Sequence, residues 1–286
     1  AGSRCQPFHR AHLVPVGLRR KDEARAYEFV VEPEEGEGGA GHVEAGDELA
    51  HLRVHRFQAG FGEELGDGRR LVRPIHDGEL LAALDDAGVA PLPPYIHERL
   101  GDQERYQTVF SRRPASAAAP TAGLHLTAEV LEGLRGRGVQ IETVELVVGL
   151  DTFRPISSDR VEDHAIHSEQ YSVPVDTWDA VERAISDGRR VVAVGTTTVR
   201  ALESAATLGR LGGRTRLFST PGYRFKVVDV MMTNFNLPRS SLLAMVEAFV
   251  GPRWQDLYRT AVEREYRFLS FGDAMLLERG AGGPTS

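Results

Sequence analysis

Apolar and polar residues alternate in short runs over roughly the first 80 positions, and the pattern then changes to mixed helical and strand periodicities. Tyr27 to Val31 and Leu52 to Phe57 read as short strands, set apart by acidic, glycine-rich turns such as Glu34 to Gly41. Short strands bounded by turn residues predict a small β-barrel or sandwich. Gly78 to Ala87 reads as helical and leads into Pro91 to Ile96, where three prolines in four residues favour an extended connector. The expected organisation is a small β-barrel domain over 1–88 and a larger α/β domain over 89–286.

Beyond the connector, helical and strand patterns alternate, as they do where helices cover a mainly parallel sheet. Thr127 is placed to cap a short helix ending near Gly136 or Gly138, and Val139 to Val148 reads as a strand. Asp176 to Asp187 puts Trp178, Val181 and Ile185 on one helical face, with Gly188 where a left-handed cap is wanted. Val191 to Val194 is the next strand, and Gly195 turns it into a helix bearing Val199, Leu202 and Glu203. An apolar strand from Val227 to Met232 precedes a helix that starts at Pro238 and Ser240, runs through Leu242, Leu243, Val246 and Phe249, and stops at Gly251-Pro252.

Composition narrows the function classes. The chain has 286 residues, 41% of them hydrophobic, which is enough for one large domain and a smaller one. Its net charge of −7 provides no global positive field for nucleic acid, so any such role rests on local patches. The candidates are Arg19, Arg20 and Lys21, then Arg69, Arg70 and Arg73, and also Arg112 and Arg113. A single cysteine, Cys5, excludes a disulfide framework and a multi-cysteine zinc site. No apolar run is long enough to span a bilayer and the start lacks the order of a secretion signal, so a cytoplasmic protein without a membrane partner is expected.

Four polar signatures in the second half, each fused to an apolar segment, carry the candidate chemistry: Ala119 to Thr127, His164 to Tyr171, Val194 to Ser204, and Thr233 to Pro238. Imidazoles, hydroxyls, a carboxylate and amides grouped in this way suit a site that holds and protonates a polar ligand. Thr196 and Thr197 lie at the positive end of a helix, where they either receive an anion or simply cap the helix, and Arg200 stands one turn further in. His164 and His167 are followed by Ser168 and Glu169. Zinc is one reading of that group, but neither an HExxH pattern nor a cysteine cluster accompanies it, and metal-free proton transfer is favoured. His125 follows Thr121 and Gly123 among small and hydroxyl residues that leave room for a ligand. Asn234 and Asn236 fall at the carboxyl end of a strand, the edge where open α/β sheets bind ligands. In the late Tyr266 to Leu277 segment, Asp273 is the best functional candidate.

Taken in order, these segments, together with PLPPYI (Pro91 to Ile96), ERYQTVF (Glu104 to Phe110), LVVGLDTFRP (Leu146 to Pro155), TPGYRFKVVD (Thr220 to Asp229) and YRFLSFGDAMLL (Tyr266 to Leu277), resemble the S-adenosylmethionine:tRNA ribosyltransferase-isomerase family of queuosine biosynthesis. The resemblance implies an α/β catalytic domain with an inserted small β-barrel. It also implies an enzyme that moves and isomerises the ribosyl part of S-adenosylmethionine onto 7-aminomethyl-7-deazaguanine at a tRNA wobble position, releasing adenine and methionine. S-adenosylmethionine is then a consumed co-substrate, no cofactor or metal takes part, and the partner is a tRNA anticodon loop bound by a monomer.

On that resemblance, His125, His164, His167 and Glu169 are the expected catalytic groups. Tyr106, Gln107, Thr121, Gly123, Thr127, Ser168, Thr196, Thr197, Arg200, Tyr223, Asp229, Asn234, Asn236 and Asp273 are expected to bind substrate, and Phe235 is a further aromatic that could face the sulfonium or stack on a base. Three positions depart from the family pattern: Val147 and Asn236 stand where it has histidines, and Asp151 where it has glycine. The pattern also carries an Asn-Asp-Thr-Arg motif ahead of the barrel that this sequence lacks, so the sheet is expected to want some strands. A weakened or substrate-shifted relative that still binds S-adenosylmethionine or RNA is the second reading, and a metal-dependent hydrolase on His164, His167 and Glu169 the third.

Overall fold

The chain divides into two compact units, Ala1–Pro93 and Pro94–Ser286, and the division falls within the proline-rich segment. The computed structural model describes residues 12–17, 27–32, 51–54, 57–66, 69–75, 78–79, 82, 92–93, 95–97, 100–112, 115–149, 161 and 166–280. Cys5, His164, Asp151, Arg113, the Arg19 to Lys21 group, the Glu34 to Gly41 turn and most of the expected Gly78 to Ala87 helix lie outside the described residues.

The first unit holds β1 (His12–Gly17), β2 (Tyr27–Glu32), β3 (His51–Val54), β4 (Phe57–Gly66) and β5 (Arg69–Ile75), paired antiparallel in the order β1-β2-β5-β4-β3. Among the described residues no pairing joins β1 to β3, and the expected closed barrel is not seen there. The expected strand Leu52 to Phe57 is instead the end of β3 and the start of β4, with Val54 paired to Phe57 across a hairpin. Alternation alone does not reveal such a reversal, because both strands keep the same period. In β4 the register shifts twice between Phe61 and Gly66, where interspersed glycines favour bulges.

In the second unit, Thr127 accepts a hydrogen bond from the Val130 N–H and starts α1 (Ala128–Gly136). The expected strand after it shrinks to β6 (Glu145–Val147), which pairs with β7 (Glu169–Ser172), itself paired with β9 (Gly212–Thr215). Between β7 and β9 come α2 (Val175–Ser186), β8 (Val192–Val194) and α3 (Thr196–Leu208). The buried face of α2 is Thr177, Ala180 and Val181, while Ile185 is exposed. The face is rotated from the expected one because the Thr177 hydroxyl turns inward and donates to the Thr143 carbonyl.

Strand β10 (Val230–Asn234) is central to a second sheet, parallel to β8 and antiparallel to β11 (Ala274–Glu278). The chain leaves β10 through α4 (Ser241–Val250) and α5 (Trp254–Glu263) and turns back into β11. Ser240 caps α4 by accepting from the Leu243 N–H. The unit is a mixed α/β fold, but among the described strands only β8–β10 is parallel, so the expectation of a mainly parallel sheet is not met. Ala193, Val199, Met231 and Val246 are fully buried between this sheet and helices α3 and α4. Each such larger side chain contributes about 1.5–3 kcal/mol on removal from water.

Candidate functional site

Two glycines allow distant segments to meet at the carboxyl ends of β8 and β10. Gly195 follows β8 with φ of 89°, and a Cβ there would lie 3.2 Å from Thr197 Oγ1 and 4.0 Å from Ala122 Cβ. The Thr121–His125 3₁₀ turn therefore comes up against the start of α3. Gly123 seats that turn on its other side, since a Cβ would fall 2.6 Å from Phe110 Cζ and 3.0 Å from Thr108 Cγ2.

The turn then reaches the last residue of β10. Thr121 Oγ1 donates to Asn234 Oδ1 at 3.1 Å, and Asn234 Nδ2 lies 3.4 Å from His125 Nε2. Asn234 is 5% exposed, so its amide has little access to water and depends on these partners. Asn236 continues the network: its Nδ2 donates to the Asn234 carbonyl at 3.0 Å, and its N–H to Tyr258 Oη at 3.0 Å. Burial pushes the Tyr258 hydroxyl pKa up.

Asp273 stands beside this network, because its neighbour Ala274 pairs directly with Asn234. The Arg267 backbone N–H, at 2.7 Å, holds the Asp273 carboxyl below the usual carboxylate range, with the Arg267 guanidinium and the neighbouring His125 acting in the same direction. Tyr106 is buried close by. Its hydroxyl lies near Ser270 and the Ala119 backbone but finds no partner in hydrogen-bonding geometry among the described residues, and neither does Thr108 Oγ1. Desolvation raises the pKa of Tyr106. Ser270 Oγ and Tyr95 Oη instead share a hydrogen bond of 2.9 Å. Sequence reading missed Tyr95, Thr108 and Ser270, and no local pattern marks residues whose partners lie so far along the chain.

A second group gathers around the start of β7. Arg200 forms an ion pair with Glu169, both nearly buried, and its Nη2 donates to the His167 carbonyl at 3.0 Å. Burial lowers the Arg200 pKa and Glu169 raises it. Arg214 donates to Ser168 through its side-chain oxygen at 3.0 Å and its carbonyl at 2.7 Å. His167, Ser168 and Glu169 are thus fastened by two arginines, and the His167 ring is exposed. A guanidinium facing Glu169 disfavours a cation at that carboxylate, which counts against the metal reading.

Other expected residues lie apart from these groups. Asp229 precedes β10 and so sits at the strand end opposite Asn234, about 17 Å away at the usual rise per residue. There its carboxylate accepts from the Val191 N–H at 3.0 Å and from Arg279 at 2.9 Å. Tyr223 donates to Glu203 at 3.1 Å, and burial raises its pKa to about 12. Glu203 is fully buried and also accepts from the N–H groups of Lys226, Val227 and Val228. Gln107 and Thr127 are exposed, Gln107 accepting from the Ser111 hydroxyl and Thr127 capping α1. Thr196 and Thr197 are half-buried beside Gly195, which itself occupies the helix cap. A cavity of about 230 Å³ lined by Ser204, Thr207, Arg214 and Leu217 among others contains none of the expected site residues.

The molecule is thus a mixed α/β protein with a polar network of Thr121, His125, Asn234 and Asn236 at the carboxyl ends of neighbouring strands. Residues 14–277 match the family model described as queuosine biosynthesis protein. The S-adenosylmethionine:tRNA ribosyltransferase-isomerase of Thermus thermophilus is 54% identical over 217 residues, covering 74% of this chain and 61% of its own. Its namesake in Desulfitobacterium hafniense is 50% identical over 221 residues, covering 75% and 64%. The chain belongs to this queuosine biosynthesis family, and spans about three-fifths of the length of the curated relatives it matches. The crystal structure of S-adenosylmethionine tRNA ribosyltransferase from Thermotoga maritima is 29% identical, with 93% of this chain and 77% of that one covered at a TM-score of 0.47.

Proposed function

We propose that this chain performs the reaction for which its relatives are named. It transfers the ribosyl part of S-adenosylmethionine to a tRNA base, 7-aminomethyl-7-deazaguanine at the wobble position, and isomerises it to epoxyqueuosine with loss of adenine and methionine. The relatives' names favour this over a binding-only paralogue. S-adenosylmethionine is consumed and no metal takes part. The working protein is a cytoplasmic monomer whose partner is the anticodon loop, and no described helix is long and apolar enough to cross a membrane. The five-stranded sheet is part of a small barrel domain ending near residue 88.

The observation that carries the proposal is the Thr121–Asn234–His125 chain of hydrogen bonds. The sulfonium acidifies the adjoining ribose carbon, so one group must take a proton there, and another must give one to the departing adenine. An asparagine amide suits a histidine that changes charge. It donates Nδ2–H to a neutral ring, and after a flip it accepts an N–H from a charged ring through Oδ1. The Thr121 hydroxyl serves both arrangements, because it can donate or accept. Asp273 balances positive charge on the ring or on the sulfonium, while the hydroxyls of Tyr106 and Thr108, without a hydrogen-bond partner among the described residues, offer hydrogen bonds to the polar ligand. His167, fastened by its carbonyl, is the second imidazole.

The experiment is to supply S-adenosylmethionine and tRNA bearing 7-aminomethyl-7-deazaguanine and to quantify free adenine and modified tRNA. Equal amounts of the two are expected. Absence of adenine, or adenine released without tRNA, would overturn the proposal.

A further inference from the structure

We propose that Phe271 is a stacking platform for an unpaired RNA base next to the one that reacts, an inference that rests on the RNA partner proposed above. Phe271 is 37% exposed, yet the loop presenting it, Arg267 to Asp273, is tightly held. The Leu269 N–H donates to the Phe235 carbonyl at 2.9 Å, the Gly272 N–H to the Leu269 carbonyl at 3.0 Å, and the Asp273 N–H to the Arg267 carbonyl at 2.7 Å. Ser270 is tied to Tyr95. Leu269 sits at φ of 72°, a left-handed conformation that a residue with a Cβ rarely adopts. No side chain is possible at Gly272, where a Cβ would fall 2.3 Å from the Arg267 carbonyl oxygen. A strained loop with an obligatory glycine thus holds an aromatic side chain that keeps part of its surface in water, where that part forfeits burial energy.

The position and surroundings of the ring favour a base over other occupants. Phe271 is two residues from Asp273, beside His125, and its loop rests on the residue after Asn234. Tyr106 meets the ring edge-on at 6.1 Å and fixes its plane. The Arg105 guanidinium lies 5.6 Å from the ring centre, and the side chain of Arg267 is 75% exposed. At 5.6 Å from the ring centre the guanidinium is in cation–π range and leaves no room for a base on that side of the ring. A base therefore takes the remaining exposed surface, with Arg105 beside it to meet a phosphate and Arg267, whose guanidinium also pairs with Asp273 at 3.5 Å, at the edge of the same loop. One ring flanked by cations is too small and too charged for a protein-docking patch, which takes several hundred Å² of contiguous apolar surface. It fits the pairing of aromatic faces with positive charge that single-stranded nucleic acid selects.

The test uses anticodon stem-loop RNAs with 7-aminomethyl-7-deazaguanine at the wobble position and 2-aminopurine on one side of it or the other, titrated with the wild-type chain and with Phe271→Leu and Phe271→Trp. Leucine keeps apolar bulk in the loop but removes the planar face. Wild-type protein is expected to quench one of the two RNAs. Phe271→Leu is expected to abolish that quench and weaken RNA binding about tenfold, and Phe271→Trp to restore both. Unchanged affinity and quench in Phe271→Leu, or a wild-type protein that quenches neither RNA, would overturn the proposal. So would weakened S-adenosylmethionine binding with RNA binding intact, which would assign the ring to the adenine of the co-substrate. Quenching without adenine release on the same RNAs would remove the proposed reaction and leave the platform standing.

Discussion

Arg200 and Glu169, 31 residues apart, form a buried ion pair that joins the first turns of α3 to the start of β7. The same guanidinium holds the His167 carbonyl, so the pair sets where a histidine-bearing segment lies relative to the Gly195 turn. Both residues were expected to face substrate or carry chemistry, and in the structure they face each other.

Removing one partner leaves a buried charge uncompensated. Glu169→Ala is expected to destabilise the fold by about 3–5 kcal/mol, whereas Glu169→Leu combined with Arg200→Met recovers most of the loss. Urea unfolding of the single and double variants checks this. A single variant within about 1 kcal/mol of wild type would show that the pair is a surface contact in solution.

Tyr223 gives an alkaline limit to stability. Its folded pKa, raised to about 12 by burial, lies above the ordinary value of 10.0, so the folded state retains a proton that the unfolded chain loses. Its contribution is complete below pH 10 and is lost as the pH rises toward 12, with Tyr95, Tyr106 and Tyr258 shifted in the same direction. Denaturation midpoints measured from pH 8 upward are expected to fall above pH 10, and less steeply in Tyr223→Phe. An identical slope in that variant would contradict the assignment.

Asn234 is the joint of the proposed relay. Asn234→Asp preserves its size but cannot donate to a neutral His125, so kcat is expected to fall at least about 100-fold. The tRNA KM should change little, because the amide is buried. Equal loss in kcat and tRNA affinity, measured by steady-state kinetics and filter binding, would make Asn234 a binding residue.

Local signals carried much of the fold. Caps at Thr127 and Ser240, the positive-φ Gly195 and the helix stop at Gly251 are written within a few residues and lie where the pattern places them. The division of Leu52 to Phe57 between two strands, and the antiparallel return of β11, depend on pairing partners that a single run does not encode. At the site, Thr121, His125, Asn234 and Asp273 were each legible as polar residues beside a strand or turn, and the structure brings them together. Asp229, Tyr223 and Glu203 carry equally polar signatures, yet they fasten the Val191 N–H and the loop from Tyr223 to Val228. A motif containing a buried carboxylate looks the same in sequence whether its partner is a ligand or a backbone N–H.

The most direct measurement is single-turnover adenine release from S-adenosylmethionine with saturating substrate tRNA, comparing wild type with His125→Ala. The account expects the variant to bind tRNA as wild type does while adenine appears at least about 100-fold more slowly. Release at the wild-type rate from His125→Ala would contradict it.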